Sequence, residues 1–365
     1  MTLSKDLFKK VILEAEKFYK NSPLNNEINN SDSIEVVVRK GQNEYTIPKV
    51  AEALFYGDPE EYRQQIAEAK ANYKRKILRL DVYEENEGNY EKIFNLIKKR
   101  AAIIPFVGAG FSVSAGCPSW SDYIIEQAKK ARLSEAAIEQ RIAAGEHEAL
   151  MTEIIHKISL DRFKRDFEHR FHNQNIAPAL SPCTEFDGLF EQCIITTNFD
   201  RVLEEGITKP FSEKQVGTEN SGRFIRAIFS GDHYLLKLHG NIDEENDRVL
   251  TAEEYDSAYG KGQIDWNLPI PKKLKKIFGN YSTIFLGCSL VGDRYLDVLK
   301  EVRATQSDFM PDHFAIVTAP DDEEERIERD KFLAELGITP IWFPHGDWEA
   351  PSEILSLIKL ELNYS

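Results

Sequence analysis

The run Ile103-Ile104-Pro105-Phe106-Val107-Gly108-Ala109-Gly110-Phe111-Ser112 decides the fold. A short apolar segment of strand length opens directly into a glycine turn, and from here the chain alternates short apolar runs with helical stretches. That alternation is the pattern of a parallel sheet covered on both faces. The runs Ile103–Val107, Cys193–Thr197, Tyr234–Leu238, Thr283–Leu286, Phe314–Thr318 and Ile338–Phe343 are the expected strands. Each of the first four runs ends in a polar or glycine-rich cluster: Gly108-Ala109-Gly110, Asn198-Phe199-Asp200, His239-Gly240-Asn241 and Gly287-Cys288-Ser289. Ligands of an open α/β sheet bind outside the carboxyl ends of its strands, so these four clusters are expected to meet in one crevice. The expected fold is therefore a Rossmann-like α/β domain over residues 101–365. A charged helical insert at about 133–173 caps its crevice.

Upstream, residues 1–100 read as a mostly helical region with a possible strand pair. Leu7, Val11, Ile12, Ala15, Phe18 and Tyr19 recur at helical spacing and mark a first helix. Asn25 to Ser33 is polar and reads as a loop, and Ile34–Val38 and Tyr45–Ile47 flank a hairpin connection at Lys40-Gly41-Gln42-Asn43. Asp58-Pro59 starts a helix, with Asp as N-cap and Pro at the first helical position. Tyr62, Ile66, Ala69, Tyr73 and Ile77 give that helix its buried face. No recognisable chemistry falls in this region, so its expected role is packing or contact between copies in a homo-oligomer.

Composition narrows the function classes. The 365 residues, 42% hydrophobic and 29% charged, have the balance of a globular protein, and no apolar run reaches membrane-spanning length. The first twenty residues lack the apolar core of a secretory signal, which makes the cytoplasm the expected location. Subtracting 61 acidic from 46 basic residues leaves a net charge of −15, which opposes strong autonomous binding to nucleic acid or to an anionic membrane. Cys117, Cys183, Cys193 and Cys288 form no closely spaced pair, so no tetrahedral zinc site is expected and the thiols read as buried and free. No Walker-type glycine–lysine motif is present either.

The crevice residues carry the chemistry. The glycine turn lets backbone come close to a pyrophosphate, although the third glycine of the dinucleotide fingerprint is replaced by Val113. Ser112 and Ser114 offer hydroxyls. Asn198 and His239 each stand directly after an apolar strand, where a polar side chain faces a site or, taken alone, is a turn-forming Asn or a satisfied structural His.

Taken together these motifs resemble the sirtuin superfamily, and within it the bacterial sirtuin-like branch associated with antiphage defence. Phe106 to Ser112 is similar to the family's G-A-G phosphate loop, and Ser114 to Trp120 to its mobile cofactor loop. Thr196-Thr197-Asn198-Phe199-Asp200 resembles T-Q-N-I-D, and Leu238-His239-Gly240 the catalytic histidine motif. Gly287-Cys288-Ser289-Leu290 resembles G-T-S-L, and Gly346-Asp347 the adenine-side loop. The resemblance runs from Ile103 to about Ile358. It implies NAD as substrate, held by Gly108, Ala109, Gly110, Phe111, Ser112, Trp120, Thr197, Gly287, Ser289 and Asp347. The resemblance also implies roles for three residues. Asn198 positions water or the ribose, His239 acts as general base on a ribose hydroxyl or water, and Asp200 holds the nicotinamide-side geometry.

Protein-deacylating sirtuins also carry two cysteine pairs for zinc and a P-D-F-R segment, both missing here, where Pro118 leads into Ser119-Trp120-Ser121. The implied activity is hydrolysis of the nicotinamide–ribose bond of NAD, giving nicotinamide and ADP-ribose, in an NAD-depleting defence effector without zinc. If the chain belongs to a two-gene system, as relatives paired with a HerA-like ATPase do, that ATPase is a separate partner. Two other classes compete: a non-catalytic sensor or scaffold for NAD or an ADP-ribose derivative, and an ADP-ribosyltransferase or zinc-free deacylase. Modified protein after incubation with NAD would mark the last.

Overall fold

The computed structural model describes residues 19, 22–31, 34–172, 175–190, 192–209, 211–212, 215–218, 222–243, 248–306 and 310–363. They fall into two compact units, 1–82 and 83–365. Leu7, Val11, Ile12, Ala15 and Phe18 of the expected first helix lie outside the described residues.

In the smaller unit the polar stretch expected as a loop contains a helix, Leu24–Asn29. Tertiary partners overrule its weak propensity. Leu24 and Ile28 are buried, and the buried Asn25 accepts from the Tyr62 hydroxyl at 2.8 Å while donating to the Tyr19 carbonyl at 2.5 Å. The hairpin forms as β1 (Val37–Lys40) and β2 (Asn43–Thr46), antiparallel, with Lys40 opposite Asn43. Asp58 caps the helix Pro59–Ile77 by accepting from the Glu61 amide, and Tyr62, Ile66, Ala69 and Ile77 are its buried face.

The larger unit is built on seven parallel strands: β3 (Ile103–Val107), β4 (Cys193–Thr196), β5 (Val216–Gly217), β6 (Tyr234–Lys237), β7 (Ser282–Leu286), β8 (His313–Thr318) and β9 (Ile338–Phe343). Their order across the sheet is β5-β6-β4-β3-β7-β8-β9. The chain thus lays β4, β5 and β6 on one side of β3, with β6 between β4 and the edge strand β5, then crosses back to lay β7 on the other. The strand order reverses at β3, the kind of place where an open α/β sheet holds its ligand. Register brings the strand ends level: Val107 is opposite Thr196 and Leu286, and Thr196 is opposite Lys237. The loops leaving these strand ends must therefore share one edge of the sheet. Of the seven strands, β5 is the one the sequence did not announce, because two residues are too short to show a periodicity.

Phe106, Ile195, Leu236, Phe285 and Ala315 lie in one register row, hence on one face, and bury with Leu274, Phe278, Val298 and Leu299 from the covering helices. The edge strand β9 is closed by a helix, Glu85–Lys98. Asn86 exchanges two hydrogen bonds of 2.8 Å with the backbone of Trp342, and Asn89 donates to the Pro340 carbonyl. Covering a β-edge in this way removes a template for unwanted strand pairing.

A helical insert stands on the carboxyl side of the sheet as the helices Trp120–Lys130, Glu135–Ala143, His147–Ile158 and Leu160–Phe171. Phe163, Phe167 and Phe171 recur at helical spacing and pack on Tyr123, Leu150, Ile154 and Phe199. Phe199 sits between Asn198 and Asp200, so the insert's core grips the loop that carries them.

Candidate functional site

The cleft at the carboxyl edge is lined from all four clusters and from the insert. Gly108, Ala109, Gly110, Phe111, Trp120, Thr197, Asn198, Asp200, His239, Gly287 and Ser289 are on its wall. Three residues singled out from the sequence, Ser112, Ser114 and Asp347, are not. Ser112 is buried behind the wall, and Asp347 is half-buried beside it, where its neighbour Trp348 supplies the lining instead.

Backbone packing accounts for the glycines. The Gly108 amide donates to the Leu286 carbonyl and the Gly110 amide to the Gly287 carbonyl, each at 2.9 Å, so the turns after β3 and β7 are laid against each other. A Cβ at Gly108 would stand 2.6 Å from the Gly287 oxygen, and one at Gly287, whose φ is +66°, 2.6 Å from the Phe111 nitrogen. Side chains there would force the two turns apart.

Asn198 is buried on this scaffold. Its Nδ2 donates to the Gly108 carbonyl at 3.0 Å and to Ser112 Oγ at 3.1 Å, and its backbone amide donates to Thr196 Oγ1 at 3.0 Å. With both amide hydrogens committed, the carbamoyl oxygen meets no donor among the described residues, and it remains as an acceptor for a water or hydroxyl entering the cleft.

Asp200 is tied down more tightly. Oδ1 accepts from the Val202 amide at 2.9 Å, where the helix Val202–Gly206 begins. Burial raises its pKa, and the nearby Lys237 ammonium opposes the rise. Lys237, fully buried at the end of β6, donates to the carbonyls of Phe199 and Asp200, to Glu204 Oε1 at 2.7 Å and to Asn241 Oδ1. One cation thereby staples the loops after β4 and β6 together. A lysine inside the run Tyr-Leu-Leu-Lys-Leu was the available signal.

His239 is buried with its ring between two tyrosines of the helix Ala252–Tyr259, and burial lowers its pKa to about 3. His313, buried in β8, is lowered to about 4 by the same cause. In the unfolded chain an imidazole titrates near pH 6.5. Below that pH the unfolded state takes up protons that the folded state refuses, so the stability due to these groups is whole above about 6.5 and drains away as pH falls toward 3–4. The melting temperature is expected to fall on acidification below pH 6.5, and His313→Gln to flatten that decline. Parallel declines in wild type and variant would show that His313 is not involved.

The insert, the helix Ala252–Tyr259 and the segment after β7 bring further groups to the cleft that no sequence pattern singled out: His147, Glu148, Tyr255 and Asp293. Burial lifts Asp293 to about 6, while the Tyr295 hydroxyl donates to it at 2.9 Å. Arg294, next in the chain, grips Glu148 through its Nε and Nη2, the shortest contact being 2.6 Å. Its Nη1 reaches Asp256 at 2.8 Å and the Gly260 carbonyl at 3.0 Å. Beside this clamp Gly145 and Gly292 meet backbone to backbone, a Cβ on Gly292 falling 3.0 Å from Gly145 Cα. Arg294→Ala is expected to cost about 1–3 kcal/mol, because two partly buried carboxylates lose their cation. Protease sensitivity should rise first within residues 135–171, and an unchanged digestion pattern would refute the clamp.

Burial raises all four thiols, Cys183 to about 11 and Cys193 to about 12. Among the described residues no group of three His, Cys, Asp or Glu side chains gathers to hold a metal ion, and no helix is long and apolar enough to cross a membrane.

An open parallel sheet with a carboxamide and an imidazole presented at its switch-point cleft defines the class. Residues 192–341, which include Asn198, Asp200, His239 and Gly287, match the family model of SIR2-like domains. It is similar to the NAD(+) hydrolase ThsA of Enterococcus faecium, at 24% identity over 224 residues, covering 60% of this chain and 43% of that protein. The matched region is thus less than half the length of the relative.

Proposed function

We propose that this protein hydrolyses NAD at the nicotinamide–ribose bond, releasing nicotinamide and ADP-ribose, and that it acts as an NAD-depleting effector of antiphage defence. The observation that carries the reading is the arrangement of Asn198: its amide hydrogens are spent on the fold and its oxygen is left to the cleft that His239 also lines. Departure of nicotinamide leaves an oxocarbenium-like ribose, whose formation needs orientation and charge stabilisation more than a strong nucleophile. Asn198 would hold the attacking water or a ribose hydroxyl, and His239, a neutral imidazole, would bear on the same oxygens through the tyrosine hydroxyl bonded to it. Asp200, committed to the Val202 amide and close to Lys237, would keep the Asn198 loop in place from beneath the nicotinamide end. The overall change adds one water to NAD and yields nicotinamide, ADP-ribose and a proton. Similarity to an NAD(+) hydrolase supports this choice of substrate.

The effector would work as a homo-oligomer in the cytoplasm, with a HerA-like ATPase as a candidate partner. Chromatography of NAD incubated with the purified protein, alone and with candidate partners, tests the activity. Equal amounts of nicotinamide and ADP-ribose are expected. Label from NAD appearing on protein instead would move the assignment to ADP-ribosyl transfer, and intact NAD under every condition would defeat it.

A further inference from the structure

Two tyrosines one helical turn apart, Tyr255 and Tyr259, address the two nitrogens of one imidazole. The Tyr259 hydroxyl lies 2.7 Å from His239 Nε2 and the Tyr255 hydroxyl 3.3 Å from Nδ1. Their rings meet the imidazole edge-on, at 73° and 75°. Tyr255 and His239 line the cleft, whereas Tyr259 is wholly buried behind them in the apolar cluster with Leu238, Ile270 and Leu274.

Hydrogen-bond accounting fixes the protons. Burial keeps His239 neutral, so one ring nitrogen bears hydrogen and the other a lone pair. Among the described residues the Tyr259 hydroxyl bonds to His239 Nε2 and to nothing else. Were Nε2 protonated, the Tyr259 oxygen would accept that proton and its own hydrogen would be buried without an acceptor, a loss that the other tautomer avoids. The 2.7 Å separation is also the length of a hydroxyl donor's bond, shorter than is usual for a ring N–H. Tyr259 therefore donates to Nε2. Nδ1 then carries the proton and donates to the Tyr255 oxygen, and the Tyr255 hydrogen is left to point into the cleft.

We propose that Tyr255 is the group that meets the substrate at this end of the cleft, donating to a ribose oxygen, and that Tyr259 is a positioning residue that holds His239 as the Nδ1–H tautomer. The proposal rests on the reading of the cleft as an NAD site. It gives His239 a donor's role through Tyr255, since the lone pair that a base needs faces Tyr259.

Two-bond proton–nitrogen correlation spectra of the full-length protein labelled with 15N-histidine, with the His239 signals assigned from a His239→Gln variant, test the tautomer without any substrate. The Nδ1–H pattern is expected for His239, and the Nε2–H pattern would overturn the proposal. Tyr259→Phe should shift those signals toward an averaged pattern and lower kcat about tenfold with KM unchanged. Tyr255→Phe, which keeps the ring, should lower kcat about tenfold or more while the melting temperature stays within a few degrees of wild type. Full turnover and affinity in Tyr255→Phe would remove Tyr255 from contact with substrate. If wild-type protein leaves NAD intact the functional reading falls, and the tautomer spectrum still decides whether Tyr259 sets the imidazole.

Discussion

Asn198→Ala and His239→Ala are each expected to lower NAD cleavage by about a hundredfold or more, the scale at which a positioned acid–base or orienting group acts. Their costs to stability should differ, because the two side chains are held differently. The Asn198 amide ties the Gly108 carbonyl to Ser112, so its loss leaves two buried groups short of a donor, a penalty of about 1–2 kcal/mol. His239 bonds only through the two tyrosine hydroxyls, of which the Tyr259 group loses its acceptor on truncation. Folding must therefore be measured beside rate. Nicotinamide release per folded molecule, with melting curves on the same samples, separates a lost chemical group from a lost fold. A folded His239→Ala protein with wild-type turnover would sink the proposed function.

Gly108→Val and Gly287→Ala should remove cofactor-type binding by a different route. At Gly108 the new Cβ meets the Gly287 oxygen at 2.6 Å and Cys288 Cα at 2.9 Å, and at Gly287 it meets the Phe111 nitrogen. These obstacles are backbone, which cannot swing aside, so overpacking of about 1–3 kcal/mol is expected, together with melting several degrees lower. The consequence for the cleft is larger than the loss of stability. Asn198 hangs from the Gly108 carbonyl, so parting the turns displaces the carboxamide as well. NAD affinity measured calorimetrically should fall more than tenfold in both variants. Wild-type affinity in either would show that the turns need not touch. Gly41→Ala, at a positive-φ glycine in the exposed hairpin with open space around it, provides a comparison in which backbone strain acts alone and NAD affinity should be kept.

The alternation of apolar runs and helical stretches determined the α/β sheet, and Ile103–Val107 and Ile338–Phe343 form strands over the spans that their composition marks. The reason is local: a strand buried on both faces needs uninterrupted apolar side chains, and glycine or a polar residue must come next where the chain leaves the sheet. For the same reason Gly108, Asn198, His239 and Gly287 were legible, since each stands at a strand end whose position the run itself fixes. The partner that lies opposite a residue is not local. The helix Leu24–Asn29, the asparagine seal of Glu85–Lys98 on β9, the fully buried Lys237 and the clamp of Arg294 on Glu148 depend on partners distant in the chain. Their residue types, Asn, Lys, Arg and Glu, are those that sequence alone assigns to solvent. Tertiary structure alone decided that Tyr255 and Tyr259 flank His239, because a four-residue spacing gives two side chains a common helical face but says nothing about what that face meets.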